Sequence, residues 1–462
     1  MKTNLFKILG LLAVASLSLV PFGAKAQVNQ MQFYRPNDQR GINVFETSKA
    51  DTVPFKGLFV KVGGNFELTF QALGESNTAA VVAAPATYTI AKGLANNVNA
   101  LLPLTHAFQL PEANLNLDVQ LADGIRMNIT EYLASRHHED TWVKGGYIQF
   151  DKLPFLHSSV IDNIMKSVTI RIGQNDVDYG DQHYRRTDGA NTLYNPFIEN
   201  YIMDEFATEL GAEFYYFNKS GLFLMGGITN GELDETVNAS TKIDPETGLT
   251  NKYDPAVLGK IGFDKQLNKD FRFRLTGSFY NLNSGNSNTL MSGDRTGSHY
   301  FDVMENQLVA NNTTLSDAND YNFTSGRVSP GFSEAIHTFM GNLFLKYQGL
   351  EFFGTFENAT GRSIAETSDR WATQVAGDVI YRFPQGKENF WLGVRLNTLK
   401  ADLLGVGDVT VNRTAGSFGW FLTRNIMMKI EYVSQTYDGY PSTNILNGGK
   451  FQGFNAEASI GF

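Results

Sequence analysis

The last nine residues alternate strictly, Phe454, Ala456, Ala458, Ile460 and Phe462 against Asn455, Glu457, Ser459 and Gly461. A period of two puts the two sets on opposite faces of a β-strand. Soluble domains commonly finish in a polar tail that frays, whereas this chain ends on an aromatic residue in the apolar phase. The closing strand of a membrane barrel needs that pattern, with one face toward lipid and the other toward a wet lumen. The pattern predicts an all-β fold, a transmembrane antiparallel β-barrel with long external loops and short periplasmic turns.

The N-terminus agrees. Lys2 and Lys7 precede an apolar run from Ile8 to Val20, and Ala24-Lys25-Ala26 offers small residues at a cleavage site. This reads as a secretory signal peptide over residues 1–26, too short in its apolar part for an uncleaved anchor. The chain has no cysteine, which excludes a lipid-anchored N-terminus, a disulfide framework and thiolate chemistry. No later stretch approaches the ~20 apolar residues of a spanning helix. A net charge of -9 without basic patches excludes nucleic acid as a partner. Mean hydropathy of -0.22 is compatible with a membrane, because barrel strands are only half apolar. The predicted location is the Gram-negative outer membrane, with its lipids as partner.

Alternation recurs along the chain. Leu58, Val60, Val62, Phe66, Leu68 and Phe70 oppose Lys61, Asn65, Glu67, Thr69 and Gln71, and the run 115–121 turns at Asp123-Gly124, a strong hairpin signal, into 125–129. Further strands are predicted at 142–150, 168–172, 210–217, 222–229, 257–263, 271–279, 339–347, 350–356, 371–381, 390–396, 411–421, 426–432 and 452–462. With the first three runs this makes about sixteen, an even number as expected of a bacterial barrel. The connections alternate short and long, apart from Asp151 to Ser167, where a small helix is predicted from Leu156 to Met165. No repeat of fixed period supports a propeller.

On this count the segment 174–209 is the third external loop. It resembles in position the loop that folds back and narrows the pore in general porins, and the resemblance implies the same inward fold here. It carries Asp176, Asp178, Asp181, Asp188, Glu199, Asp204, Glu205 and Glu209 against Arg185, Arg186 and His183, with five aromatic residues. The expected constriction comprises Asp176, Asp178, Asp181, Arg185, Arg186, Asp188, Glu199, Asp204 and Glu205. The lumen phase of the strands supplies Lys61, Arg126, Arg171, Arg272, Arg274, Arg382 and Arg395. Charged rings in a narrow pore select ions through their field; the same charges could equally tie the loop to the wall. Asp176, Asp178 and Asp181 with Asn175 are closely spaced oxygen donors of the kind calcium takes, without the full pattern of a calcium loop. His183 near Asp181, and His137-His138 beside Glu139, lack the nucleophile, base and orienting group of a hydrolase. No enzyme activity and no cofactor are expected.

Residues 27–56 form a polar extension before the first strand, too short for the plug of a TonB-dependent receptor. It could enter the lumen, lie along the barrel or form a disordered lead-in.

Arg171, Ile172, Gly173 and Gln174, followed by Tyr179 and Gly180, resemble the strand-to-loop entry of the phosphate-selective porin group. The signal peptide, barrel length and terminal Phe462 fit that class across 57–462. The chain departs from the pattern in having Asn175, Asp176, Val177 and Asp178 where the family is usually basic and carries a proline. The resemblance implies a homotrimeric porin passing small hydrophilic solutes by diffusion. The alternative is a barrel with a loop-closed pore serving as a structural or partner-binding protein.

Overall fold

A computed structural model describes residues 30–50, 53–85, 89–90, 95–133, 141–187, 191–233, 243, 248, 250, 252–292, 299–307, 309–311, 314–316 and 325–462. Residues 1–26, His137, His138, Glu139 and Asp188 lie outside this set. The chain divides into two compact units, Met1–Met31 and Gln32–Phe462. Only Gln30 and Met31 of the first are described, so the architecture is that of the second.

Sixteen strands make the wall, matching the expected number: β1 Phe59–Ser76, β2 Ala113–Ala122, β3 Ile125–Leu133, β4 Thr141–Phe150, β5 Val168–Asp176, β6 Thr208–Phe217, β7 Leu222–Thr229, β8 Ala256–Gln266, β9 Phe271–Leu282, β10 Ala335–Tyr347, β11 Leu350–Arg362, β12 Arg370–Phe383, β13 Phe390–Leu403, β14 Gly407–Thr423, β15 Ile426–Asp438 and β16 Lys450–Gly461. Each pairs antiparallel with its neighbour in sequence. The first strand closes the ring, pairing with β2 over Phe59–Phe66 and with β16 over Asn65–Ser76. The described strands thus close on one another with no edge strand left over, as hydrocarbon requires.

β13 shows why these residues form the wall. Leu392, Val394 and Leu396 are each more than half exposed, while Trp391 and Arg395, in the opposite phase, are buried. A slip of one residue would turn Arg395 to lipid. The outer face thus carries the apolar belt, and stacked rings mark its periplasmic edge: Tyr381 and Phe383 at 5.8 Å, Phe383 and Phe390 at 5.7 Å, Phe390 and Phe418 at 6.5 Å. Such a closed, even-stranded barrel with an apolar belt is an outer-membrane barrel. Val394→Arg is expected to cost about 2–4 kcal/mol near the midplane, read as a lower denaturant midpoint for folding into phospholipid vesicles. An unchanged midpoint would contradict a lipid-facing Val394.

The periplasmic connections are short except 151–167, which carries α1 Ser159–Met165. The helix starts later than predicted because Pro154–Leu156 forms a separate 3₁₀ turn and Ser158 accepts from the Ile161 amide. The strands on the β10–β15 side run to 13–17 residues, longer than predicted, whereas β2–β7 have 8–10.

Candidate passage through the barrel

The third external loop lies between β5 and β6; its described residues, 177–187 and 191–207, cross the lumen and are almost wholly buried there. It enters beside Gly173, whose φ of 140° suits glycine alone; a Cβ there would lie 2.3 Å from the Gly146 carbonyl oxygen. Tyr179 Oη donates to Glu357 at 3.1 Å, and the Gly180 and Asp181 amides donate to Ser278 Oγ and Asn342 Oδ1 at 2.9 Å each. Farther along, the Ile198, Ile202 and Met203 amides donate to Glu431, Asn397 and Gln374 at 2.9, 2.7 and 2.9 Å. Wall side chains thus stand in for the partner strand that this loop lacks, which satisfies its buried amides. Between these contacts Phe197, Ile198, Ile202 and Met203 pack into a continuous apolar cluster with Trp391, Leu399 and Met340.

Most of the proposed constriction residues serve as clamps. Asp178 pairs with Lys260; burial opposes its ionisation, but the Lys260 ammonium prevails and holds the carboxyl below its ordinary value. Asp181 is held in two-pronged fashion by Arg274, with oxygens 2.7 and 2.8 Å from Nη2 and Nε. Arg186 meets Asp204 at 2.9 Å, with Arg327 at 3.2 Å from the same oxygen. Arg185 donates to Asn43 at 2.9 Å and lies over the Phe353 ring. Glu199 accepts from the His299 amide at 2.8 Å, tying the fifth external loop, 283–334, to the third. Neither carboxylate oxygen of Glu205 has a side-chain hydrogen-bond partner among the described residues. Burial first, then Glu357 and Asp204, hold its carboxyl well above the usual range. Asp176 alone of the described set borders open space.

The aspartates 176, 178 and 181 do not converge as a calcium site, because Lys260 and Arg274 already neutralise the latter two. Among the described residues, ligand atoms come close enough for a metal only at Glu67, His299 and Glu457. There the Lys429 ammonium already lies 2.7 Å from Glu457. His299 bridges the two carboxylates, Nε2 to Glu67 at 3.1 Å and Nδ1 to Glu457 at 2.7 Å. Burial works against charging this ring, but the carboxylates outweigh it and raise its pKa to about 10. Since the folded value is raised above the ordinary ~6.5, the bridge contributes fully below that pH and fades as pH climbs through the raised value. Cleavage of the 283–334 loop by an alkali-tolerant protease is expected to accelerate past pH ~10, and His299→Gln should remove that step.

The seven wall cations all lie on the lumen face. Arg272 pairs with Asp264 at 2.6 Å, Arg382 with Glu351 at 3.0 Å, Arg395 with Asp378 at 2.7 Å and Arg171 with Glu213 at 3.5 Å. Lys61 donates to Tyr34 Oη at 3.2 Å, and Arg126 donates to Tyr147 Oη and Gln149 Oε1 at 3.1 and 2.7 Å.

The open space lies to one side. A cavity of about 180 Å³ runs along the inner face of β2–β5. Its wall side presents Asn116, Asp118, Arg126, Asn128, Thr130, Lys144, Tyr147 and Arg171; its inner side presents Tyr34, Arg35, Glu46, His183, Tyr184 and Tyr194. A second cavity of about 660 Å³ opens among the periplasmic turns of β4–β9. Sequence reasoning missed Asn116, Asn128, Thr130 and Lys144. The available signal was a lumen phase of small neutral residues, Asn114, Asn116, Asn128 and Thr130, on strands whose counterparts elsewhere carry rings and charges.

The segment Gln32–Ala50 also lies inside, around the periplasmic mouth. Gln32 donates its amide to Gln120 at 2.9 Å, Asn37 donates to Asn65 at 2.7 Å, and the Gln39 amide donates to the Arg424 carbonyl at 2.9 Å. Asn43 then donates to Glu351 at 2.6 Å, and Lys49 pairs with Asp151 at 3.0 Å.

No protein-family model matches this chain, and no curated protein is recognisably similar in sequence. Solved structures are similar to it at low identity. The outer membrane channel DcaP of Acinetobacter baumannii is 11% identical with a TM-score of 0.49, covering 88% of this chain and 98% of that one. OmpT, an outer membrane protein of Vibrio cholerae, is 8% identical with a TM-score of 0.47, covering 89% and 99%. OmpF of Salmonella typhi, in complex with daunomycin, is 10% identical with a TM-score of 0.45, covering 87% and 97%.

Proposed function

We propose that this barrel is an outer-membrane porin, giving small hydrophilic solutes or ions a passive route along β2–β5 and past a charged lining. The observation that carries this reading is the polar cavity itself. It holds Arg35, Arg126, Lys144 and Arg171 beside Glu46, Asp118 and Asp176, while described residues of the third and fifth loops, among them Phe197, Ile202, Leu290 and Val303, pack against the opposite wall. A cavity of about 180 Å³ suits ions and small molecules. No catalytic step is assigned. Single-channel recording in planar bilayers is expected to give small, steady conductance; its absence would remove the porin reading. In that case the second reading, a loop-closed barrel with a structural or partner-binding role, gains from the burial of Ile198, Ile202 and Met203.

A homotrimer is part of the proposal. Leu58, Val60, Val62, Leu117, Val143 and Ile172 make an exposed, largely aliphatic outer face on the side of the shorter strands, away from the ring-rich belt of β10–β14. Export is proposed through a signal peptide ending at Ala26.

A further inference from the structure

Phe45 and Glu46 line both cavities, so this pair stands where the β2–β5 passage meets the periplasmic vestibule. Phe45 is buried, with its ring 5.5 Å from Phe344 and 5.8 Å from Tyr184, and the Arg274 guanidinium 4.2 Å from its face. Glu46 reaches Arg274 at 2.7 Å and Lys260 at 3.4 Å.

The electrostatics around Glu46 suit a removable part. Lys260 has Asp178, Arg274 has Asp181 and Arg272 has Asp264, so each of these wall cations keeps a carboxylate without Glu46. Withdrawing Glu46 therefore leaves no buried charge alone, which is what makes breaking most buried pairs costly. The segment is also anchored as a loop rather than a tail. Gln32 Oε1 accepts from the Gly124 amide at 2.8 Å, Lys49 holds Asp151 at 3.0 Å, and the Asp151 amide donates to the Gly124 carbonyl at 2.8 Å. Its two feet thus stand on neighbouring turns, and a swing of its middle about them exchanges for water the bonds from Asn37 to Asn65, from the Gln39 amide to Arg424 and from Asn43 to Glu351.

We propose that Gln32–Ala50 is a gating strap, and that Phe45 and Glu46 close the periplasmic end of the passage until the strap swings aside. This rests on the porin reading above. In closed position the strap sets the size of what passes, and its displacement joins the passage to the vestibule.

The test uses the full barrel in planar bilayers. Three changes are compared with the parent: deletion of Gln32–Ala50, Phe45→Ser with Glu46→Ser in an otherwise intact strap, and Phe45→Cys with Phe344→Cys. Because the chain has no cysteine of its own, a short bis-methanethiosulfonate linker, which forms a disulfide at each thiol with loss of methanesulfinate and is released by a reductant, acts on the introduced pair alone. The deletion and the serine pair are expected to raise conductance several-fold. The cysteine pair should conduct more when free than when bridged, with the difference reversed on release. Equal conductance in the parent, the serine pair and both states of the cysteine pair would overturn the gate and leave the channel standing. A strapless barrel that refolds but conducts nothing would overturn both.

Discussion

Arg395→Ala is expected to loosen the third loop and destabilise the barrel by about 3–5 kcal/mol, the usual cost of stripping a buried ion pair of one member. Arg395 meets Asp378 through Nε at 2.7 Å and Nη2 at 2.9 Å, and both side chains are excluded from solvent. Its remaining donor, Nη1, reaches the Glu199 carbonyl at 2.8 Å, and the guanidinium lies 4.2 Å from the Phe197 ring and 4.7 Å from that of Tyr201. One side chain thus joins β12, β13 and the third loop. The alanine leaves Asp378 charged and buried, and frees the loop near its midpoint. Arg395→Ala with Asp378→Ala removes the orphaned carboxylate, so the double variant should recover part of the lost stability. Chemical unfolding in detergent gives the energies, and rising open-channel noise reports the loop. A double variant no more stable than the single would place the cost in lost packing against Phe197 and Tyr201.

Arg126→Glu is expected to move ion preference strongly toward cations. The guanidinium borders the cavity and is held by neutral partners, Tyr147 and Gln149, so its charge is not cancelled by a carboxylate bonded to it. An ion passing about 4 Å from a unit charge feels roughly 1 kcal/mol in bulk water and 4 kcal/mol at the intermediate dielectric of a protein surface. Reversing the sign doubles that difference, and ~1.4 kcal/mol already corresponds to tenfold. A change in permeability ratio of about tenfold or more is therefore expected, read from reversal potentials in a salt gradient. Asp176→Asn should move the ratio in the opposite direction and by less. An unmoved reversal potential in Arg126→Glu would place the route elsewhere in the lumen.

The wall was largely legible because a strand has one simple rule, and lipid on one side enforces it. Runs such as Leu392, Val394 and Leu396 show the outer phase directly. The ends of long strands were less legible. Above the lipid β14 carries Thr410, Asn412 and Thr414 outward, where no apolar residue is needed, and the alternation loses contrast. The aromatic residues and acids of the third loop announced a segment with unusual surroundings. Which acids face water and which tie the loop down was not legible. That depends on pairs such as Asp181 with Arg274, far apart in sequence and brought together only by the register of the closed barrel. The strap was hidden for a related reason. Gln32–Ala50 has no period, and its partners, among them Asn65, Glu351, Arg274 and Asp151, are scattered over the wall.

That the route runs beside β2–β5 rather than through the centre is tested most directly by single cysteines in this cysteine-free chain. Thr130 lines the cavity; Thr355 sits across the lumen, buried and accepting from Asn342 at 2.9 Å. A charged, water-soluble thiol reagent added during single-channel recording should cut the conductance of Thr130→Cys and leave Thr355→Cys unaffected. Block at Thr355→Cys, with Thr130→Cys conducting as before, would contradict this account.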